Sequence, residues 1–509
     1  MKRISSLFVL YLAFNQTILS QGGARINGVL KDSDQNYIVL TYNPRLRGNL
    51  NFDGFRSTGT YVDESGYFDI KVDSLTDGAA YSLEFYDQGI SLVLFEGDSI
   101  YCEINNNPED PMFFSGIGAG KNNVLKLPDL SYNDNYNTKE ITSLDGILSY
   151  VDSIELRQRR LITAIFNQDT TDQTISGHHD KSRILNIMSR SPLSKREYHY
   201  VVNRINLQRV IFRNHLIQQL SELKEYENVF IDFDHPFFTS LDNYSSQIID
   251  LNHWWSAGAL DAIIKFKYLI DRQEKGFEVT YGNYTNSFHN TAFNNWSAEF
   301  IDRHFSDNVI HKYHADNIAF QLTSGYPYDE PLDRIGGNSS FQKRIVHFRK
   351  LLEDGLMNED YALDDNNLIL DSLKFSELLA GITERPTYLI FWSARFAGAT
   401  VVRHLPAIEA LENQYKNKIR VLNICIDEMK YRNLWAARII DNSWNSQHYF
   451  MPTETNENSL HNFTTERISS FCYGGVKYVY KDANGKITET AKGPLQIPKD
   501  ALNDSFSWY

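Results

Sequence analysis

Cys102, Cys425 and Cys472 carry the most reactive side chains in this sequence. Thiol–disulfide exchange needs a thiolate nucleophile and a second cysteine close by to resolve the mixed disulfide. No C-x-x-C occurs, and three cysteines leave at least one thiol without a disulfide partner. The count also excludes a disulfide-dense scaffold and a cysteine-built zinc site. His304, His311 and His314 offer a second chemistry. On one continuous helix they would share a face with Asp307 beside them, and these are metal-ligand types. A polar helix face explains the same residues, and no metal is expected. His178, His179 and Asp180 follow Gly177 in a polar loop and read as solvated.

The acidic pairs Asp364-Asp365 and Glu353-Asp354 sit in solvent-like surroundings. A glycosidase pair is defined by distance in space, which spacing along the chain does not give. Patterns for a nucleophile elbow, a Walker loop, a zinc protease and an EF-hand are absent, so no cofactor is expected. Trp254-Trp255 lies inside a predicted helix, where core packing outweighs a sugar platform. The formal charge is −14, without the basic footprint that nucleic-acid binding requires. Tyr and Phe number 30 and 31, which argues for folded domains with large aromatic contacts and against disorder.

The elements that would position these residues fall into three parts, as 509 residues exceed one hydrophobic core. Lys2 and Arg3 precede the apolar run 7–14, followed by Asn15, Gln16, Thr17 and the small Ser20. That order reads as a secretory signal peptide over residues 1–20. The run is too short to span a bilayer, and no later stretch of about 18 apolar residues follows. No cysteine lies near the cleavage point to take a lipid anchor. The mature protein is expected to be periplasmic or peripherally held at an outer membrane, with no span of its own.

Residues 22–127 read as an all-β sandwich. Short β-branched or aromatic runs at 25–30, 37–42, 60–62, 67–72, 81–85, 91–95 and 99–104 are separated by Asp, Gly and Asn turns. Residues 128–356 change to a helical period. Helices are expected at 142–166, 182–189, 245–272, 297–321 and 341–352. Ser194 and Glu197 have capping-box spacing and open another long helix. Residues 357–509 alternate: strand 387–392, helix 401–415, strand 418–426, helix 431–442, an extended 447–451, then a hairpin of 476–480 with 487–489. This order predicts a sheet with helices on both faces. The fold class is therefore multidomain: β-sandwich, mainly α-helical middle domain, C-terminal α/β domain.

The run 387–394, Thr-Tyr-Leu-Ile-Phe-Trp-Ser-Ala, resembles the central strand of the TlpA-type thioredoxin family, where Phe-Trp-Ala leads into Trp-Cys-x-x-Cys. Residues 405–411, with the kinking Pro406, are similar to the family's next helix. Residues 420–427 are similar to its next strand, which ends in an acidic residue, here Asp427. The turn 482–486 is similar to its final hairpin. Upstream, 361–364 and 376–379 resemble the family's first strand and serine-leucine step. The resemblance spans about 357–500. Residues 26–30, 63–68, 95–100 and 114–116 resemble a β domain fused before such domains in envelope proteins of Bacteroidota-type bacteria.

The resemblance implies a thioredoxin-like C-terminal domain and also marks what is missing from it. Counted forward from Trp392, the family's cysteines fall on Phe396 and Ala399; counted backward from Pro406, on Gly398 and Val401. The whole loop, Arg395, Phe396, Ala397, Gly398, Ala399, Thr400 and Val401, holds no thiol in either register. The family's cis-proline position falls nearest Val476, after Gly474 and Gly475. Cys472, four residues earlier, is the one thiol that could lie near that loop.

Three functions follow as expectations. The first is a redox-inactive scaffold or interaction subunit of a cell-envelope or outer-membrane protein complex, not an enzyme. The second is a carbohydrate- or peptide-binding envelope protein. The third is a single-thiol oxidoreductase working through Cys472.

Overall fold

A computed structural model describes residues 23–31, 37–42, 57–73, 75, 78–85, 88–104, 112–130, 143–241, 244, 247–248, 254–284, 288, 291–324, 332–336, 339–354, 369–381, 386–395, 398–415, 418–444, 446–453, 477–481 and 487–490. Outside them lie the signal-like segment, the stretch 361–365, Phe396, Ala397, Cys472, Gly474, Gly475, Val476 and the turn 482–486.

The N-terminal part is built from β1 (Ala24–Leu30), β2 (Tyr37–Tyr42), β3 (Thr58–Tyr61), β4 (Tyr67–Val72), β5 (Ala80–Phe85), β6 (Gln88–Val93), β7 (Ser99–Ile104) and β8 (Phe114–Ile117). They form two sheets, β4-β1-β7-β8 and β3-β2-β5-β6. Period-two alternation puts Ile26, Phe68, Ile70 and Ile100 of one sheet into the same core as Leu40, Tyr81 and Leu83 of the other. The strand expected at 91–95 runs instead over β6. Phe95 leaves the ladder because its N–H donates to Asp98 Oδ2 at 2.7 Å, in a turn where Gly97 takes φ 86°.

The chain then turns helical: α1 (Ala119–Val124), α2 (Leu144–Asn167), α3 (Gln173–Ser176), α4 (Lys181–Arg190), α5 (Lys195–Ser221), α6 (Pro236–Thr239), α7 (Trp254–Glu274), α8 (Thr291–His304), α9 (Asp307–Ser324) and α10 (Ser340–Asp354). The capping box is present: Ser194 N donates to Glu197 Oε2 at 2.8 Å, and Glu197 N to Ser194 Oγ at 3.3 Å. The helix expected at 297–321 is two helices. The chain breaks at Phe305 and Ser306, and Ser306 O accepts the first bond of α9, from Ile310 N at 2.9 Å. The helix expected from 245 begins at Trp254. No described helix is long and apolar enough to cross a membrane.

The C-terminal part holds α11 (Ser372–Ala380), β9 (Thr387–Trp392), α12 (Gly398–Tyr415), β10 (Arg420–Asp427), α13 (Arg432–Asp441), β11 (Gln447–Pro452), β12 (Lys477–Lys481) and β13 (Ile487–Thr490). Its sheet order is β11-β10-β9-β12-β13. Strands β9, β10 and β11 run parallel, while β12 is antiparallel to β9 and to β13. Tyr388, Ile390 and Trp392 face a core shared with α12 and α13, and Leu389 and Phe391 face Phe375 of α11. Ile318 of α9 and Phe348 of α10 join the first of these cores, so packing crosses the boundary expected at residue 356. Arg344 of α10 and Asp441 of α13 form a two-pronged ion pair across that junction, with Arg344 Nη2 at 2.6 Å from Asp441 Oδ2.

Candidate functional site

Every residue of β9 is buried, as expected for the central strand of a sheet covered on both faces. The register sets Cys425 of β10 beside Trp392 of β9 and Phe450 of β11. The carboxyl ends of three parallel strands therefore meet at one edge. In open α/β sheets that edge is where ligands and catalytic groups gather.

At that edge the turn 393–395 is clamped from two sides. Asp427, at the end of β10, accepts from Ser393 Oγ at 2.9 Å and from Arg395 N at 3.2 Å. Burial holds the Asp427 carboxyl above the usual carboxylate range, against the pull of those hydrogen bonds. From the other side Arg438 of α13, buried, donates through Nε to Ala394 O at 2.9 Å. Burial brings its guanidinium down to about 10, against the nearby Asp441 carboxylate. The Arg395 side chain reaches outward, 3.9 Å from Glu428 and 5.1 Å above the Tyr431 ring. This set can fix the start of α12. Its carboxylate accepts from a hydroxyl and a backbone N–H, its guanidinium donates through Nε to a backbone carbonyl, and neither group can carry electrons.

Cys425 is fully buried, with Sγ 4.0 Å from Asp427 Oδ2. Cys102 is also fully buried in the β-sandwich, and burial pushes its thiol up to about 12. A protonated, water-excluded thiol is a poor nucleophile.

The outer flank of α12 lies against the β-sandwich. Tyr61 OH donates to Ala410 O at 2.6 Å. Tyr37 and Val39 form a small buried cluster with Ala407, and the Tyr37 and Tyr61 rings meet edge to face at 4.9 Å. Burial, with Tyr61 and Glu409 nearby, holds the Tyr37 phenol well above its usual range. His404 Nε2 lies 3.4 Å from Glu84, whose other oxygen accepts from Thr41 Oγ1 at 2.9 Å.

Of the loop residues singled out in the sequence, Arg395 is half-buried at the clamp, Gly398 opens α12 and Val401 is buried against the sheet. Ala399 and Thr400 lie in the first turn of α12. The three histidines of the helical part do not converge. His314 is buried and bound to Asp302 at 2.7 Å, His304 packs on Phe300, and His311 lies against Gly336. Trp255 is buried against Tyr200 and Arg204, so it serves the core. Sequence reasoning flagged Asp427 only as an acidic strand end. It missed Arg438, whose one signal was a charge on the apolar face of a predicted helix.

No family model matches the chain, and no curated protein matches it. Among solved structures, the solution structure of a Bacteroides vulgatus protein described as a candidate thiol-disulfide oxidoreductase matches 25% of this chain and 74% of its own. The identity is 19% and the TM-score 0.19.

Proposed function

We propose that the C-terminal part is a thioredoxin-like domain of the TlpA type without its redox pair, and that the exported protein acts as a non-catalytic interaction subunit of a cell-envelope protein complex. The strand order and directions agree with that fold. The observation that carries the reading is the clamp at the strand ends. A redox domain needs an accessible thiolate at the start of its helix; here residues 396–401 hold no thiol, and the preceding turn, Ser393, Ala394 and Arg395, is tied down by Asp427 and Arg438. The helix itself is held along its flank by the β-sandwich. A domain in this state contributes surface and rigidity, not electron transfer.

Affinity purification from gently solubilised envelopes tests the role. A reproducible protein partner, retained on repeated purification, is expected. A strictly monomeric protein that brings down nothing contradicts the reading.

A further inference from the structure

The far end of the helical part carries an apolar patch that nothing above uses. Leu223, Val229, Phe230 and Phe277 are 42%, 41%, 58% and 52% exposed, and they crowd one tip. Most other large apolar residues with comparable exposure are scattered singly, which is ordinary. Four together are not ordinary for a surface.

The tip is built to hold these side chains out. Two short extended segments pair there, Phe230 opposite Thr280. Ile231 N donates to Val279 O at 3.1 Å, and Tyr281 N to Val229 O at 3.0 Å. Tyr226 and Tyr281 lock the base of the ribbon edge to face at 5.5 Å. Phe277 N donates to Arg272 O at 3.0 Å, and the Arg272 guanidinium lies 4.7 Å above its ring. Rotamer and backbone freedom is thus already reduced, which lowers the entropy cost of docking.

The electrostatics of the tip select the partner. Tyr200 and Arg204 of α5 meet Trp255 of α7, and Ile211 meets Gly258, so the two helices run the same way. Both therefore end at this tip, at Ser221 and Glu274, and present the negative ends of their dipoles. Exposed Glu222, Glu225, Glu227, Asp232 and Glu274 lie within three residues along the chain of one of the patch's own side chains. Three cations stand against them: exposed Lys224, Lys275 paired with Asp271 at 2.7 Å, and Arg272 stacked on Phe277, which leaves the rim net acidic. A second copy docking patch to patch would bring two acidic rims and four helix C-termini together. An anionic membrane surface would be repelled in the same way.

We infer that this tip docks a cationic amphipathic segment of a partner protein, its apolar face on Phe230 and Phe277 and its basic residues on the acidic rim. The inference rests on the interaction-subunit reading only in expecting the partner to be a protein.

The probe is a dye-labelled 14-residue amphipathic helix of Leu and Lys, with a Leu–Glu helix as control, titrated against the full chain by fluorescence anisotropy. The Leu–Lys peptide is expected to bind, more weakly as salt rises, and the Leu–Glu peptide not to. Phe230→Ser with Phe277→Ser leaves the charge unchanged and is expected to weaken binding about tenfold or more. Glu225→Gln with Glu227→Gln is expected to weaken it less and to flatten the salt dependence. Equal binding by the F230S/F277S chain would mean charge attraction anywhere on the surface and overturns the site. Self-association or anionic-vesicle binding that F230S/F277S abolishes overturns the choice of partner. None of these readouts depends on redox activity. Turnover of disulfides by the chain would sink the non-catalytic reading and leave the tip standing, and a failed titration would do the reverse.

Discussion

Among the described residues the β-sandwich touches the rest of the molecule at two places of opposite character. Against the helical part it presents a sealed polar junction around α1. Lys121 there is fully buried, 2.6 Å from Asp98, and its backbone N donates to Glu197 at 3.0 Å. Asn122 pairs with both backbone groups of Val93, and Asn123 with both of Phe114. Gly118 takes φ 82°, and a Cβ there would run into the Asp98 carboxylate. Against α12 the sandwich offers a small apolar contact, Tyr37 and Val39 on Ala407, flanked by the exposed Tyr61 and the part-buried His404–Glu84 pair, with no fully buried charge among them. Buried charges that are fully paired tolerate no loss of a partner, whereas exposed pairs contribute little. The sandwich is thus fused to the helical part and only docked on the α/β part.

Lys121→Met should produce the largest effect. It removes the ammonium beside the buried carboxylates Asp98 and Glu197, 2.6 and 3.9 Å away, and a loss of roughly 3–5 kcal/mol is expected in urea denaturation. A loss under about 1 kcal/mol would erase the distinction between the two contacts.

Acid should separate the two junctions next. His448 of β11 is buried, and burial brings its imidazole down to about 3. The unfolded chain takes up that proton near 6.5, so between the two values the unfolded state binds more protons. Stability of the α/β part is therefore present above 6.5 and falls as the pH drops toward 3. Hydrogen exchange should report opening of β10 and β11 in that window before β7 and β8 are exposed, and His448→Gln should flatten the dependence. Simultaneous opening of both parts would break the comparison.

Tyr61→Phe removes one hydrogen bond at the docked contact, and a cost of about 1 kcal/mol is expected, read as faster exchange in α12. His404→Gln should be the mildest, under about 1 kcal/mol. A large effect from either would mean that the docked contact is as fixed as the sealed one.

Elements with local causes were legible in the sequence. Tyr67–Val72 is the strand its β-branched and aromatic run implied, and Ser194 and Glu197 cap α5 as their spacing implied. The run Thr387–Trp392 is a buried strand, and it lies at the middle of its sheet as the resemblance implied. What failed to read through depended on partners distant in the chain. Ala119–Val124 is polar and looks like a loop, and its helix exists because Asp98 and two strand backbones satisfy its side chains while Glu197 accepts from its backbone. Tyr61 meets Ala410 across 349 positions, which no local pattern encodes. The break between α8 and α9 was missed because apolar periodicity continues through it. The usable signal was Ser306 followed by Asp307, an N-cap and an acidic first turn. At the candidate site the lack of a thiol over 395–401 was legible, but the clamp of Asp427 and Arg438 was not, because it joins residues 32 and 44 positions apart.

The central claim, a thioredoxin-like domain that does no redox work, is tested most directly by dithiothreitol-driven reduction of insulin. The full chain is expected to precipitate insulin no faster than dithiothreitol alone, with Cys472→Ser indistinguishable from the parent. Acceleration above that background, lost in the Cys472→Ser chain, would contradict it.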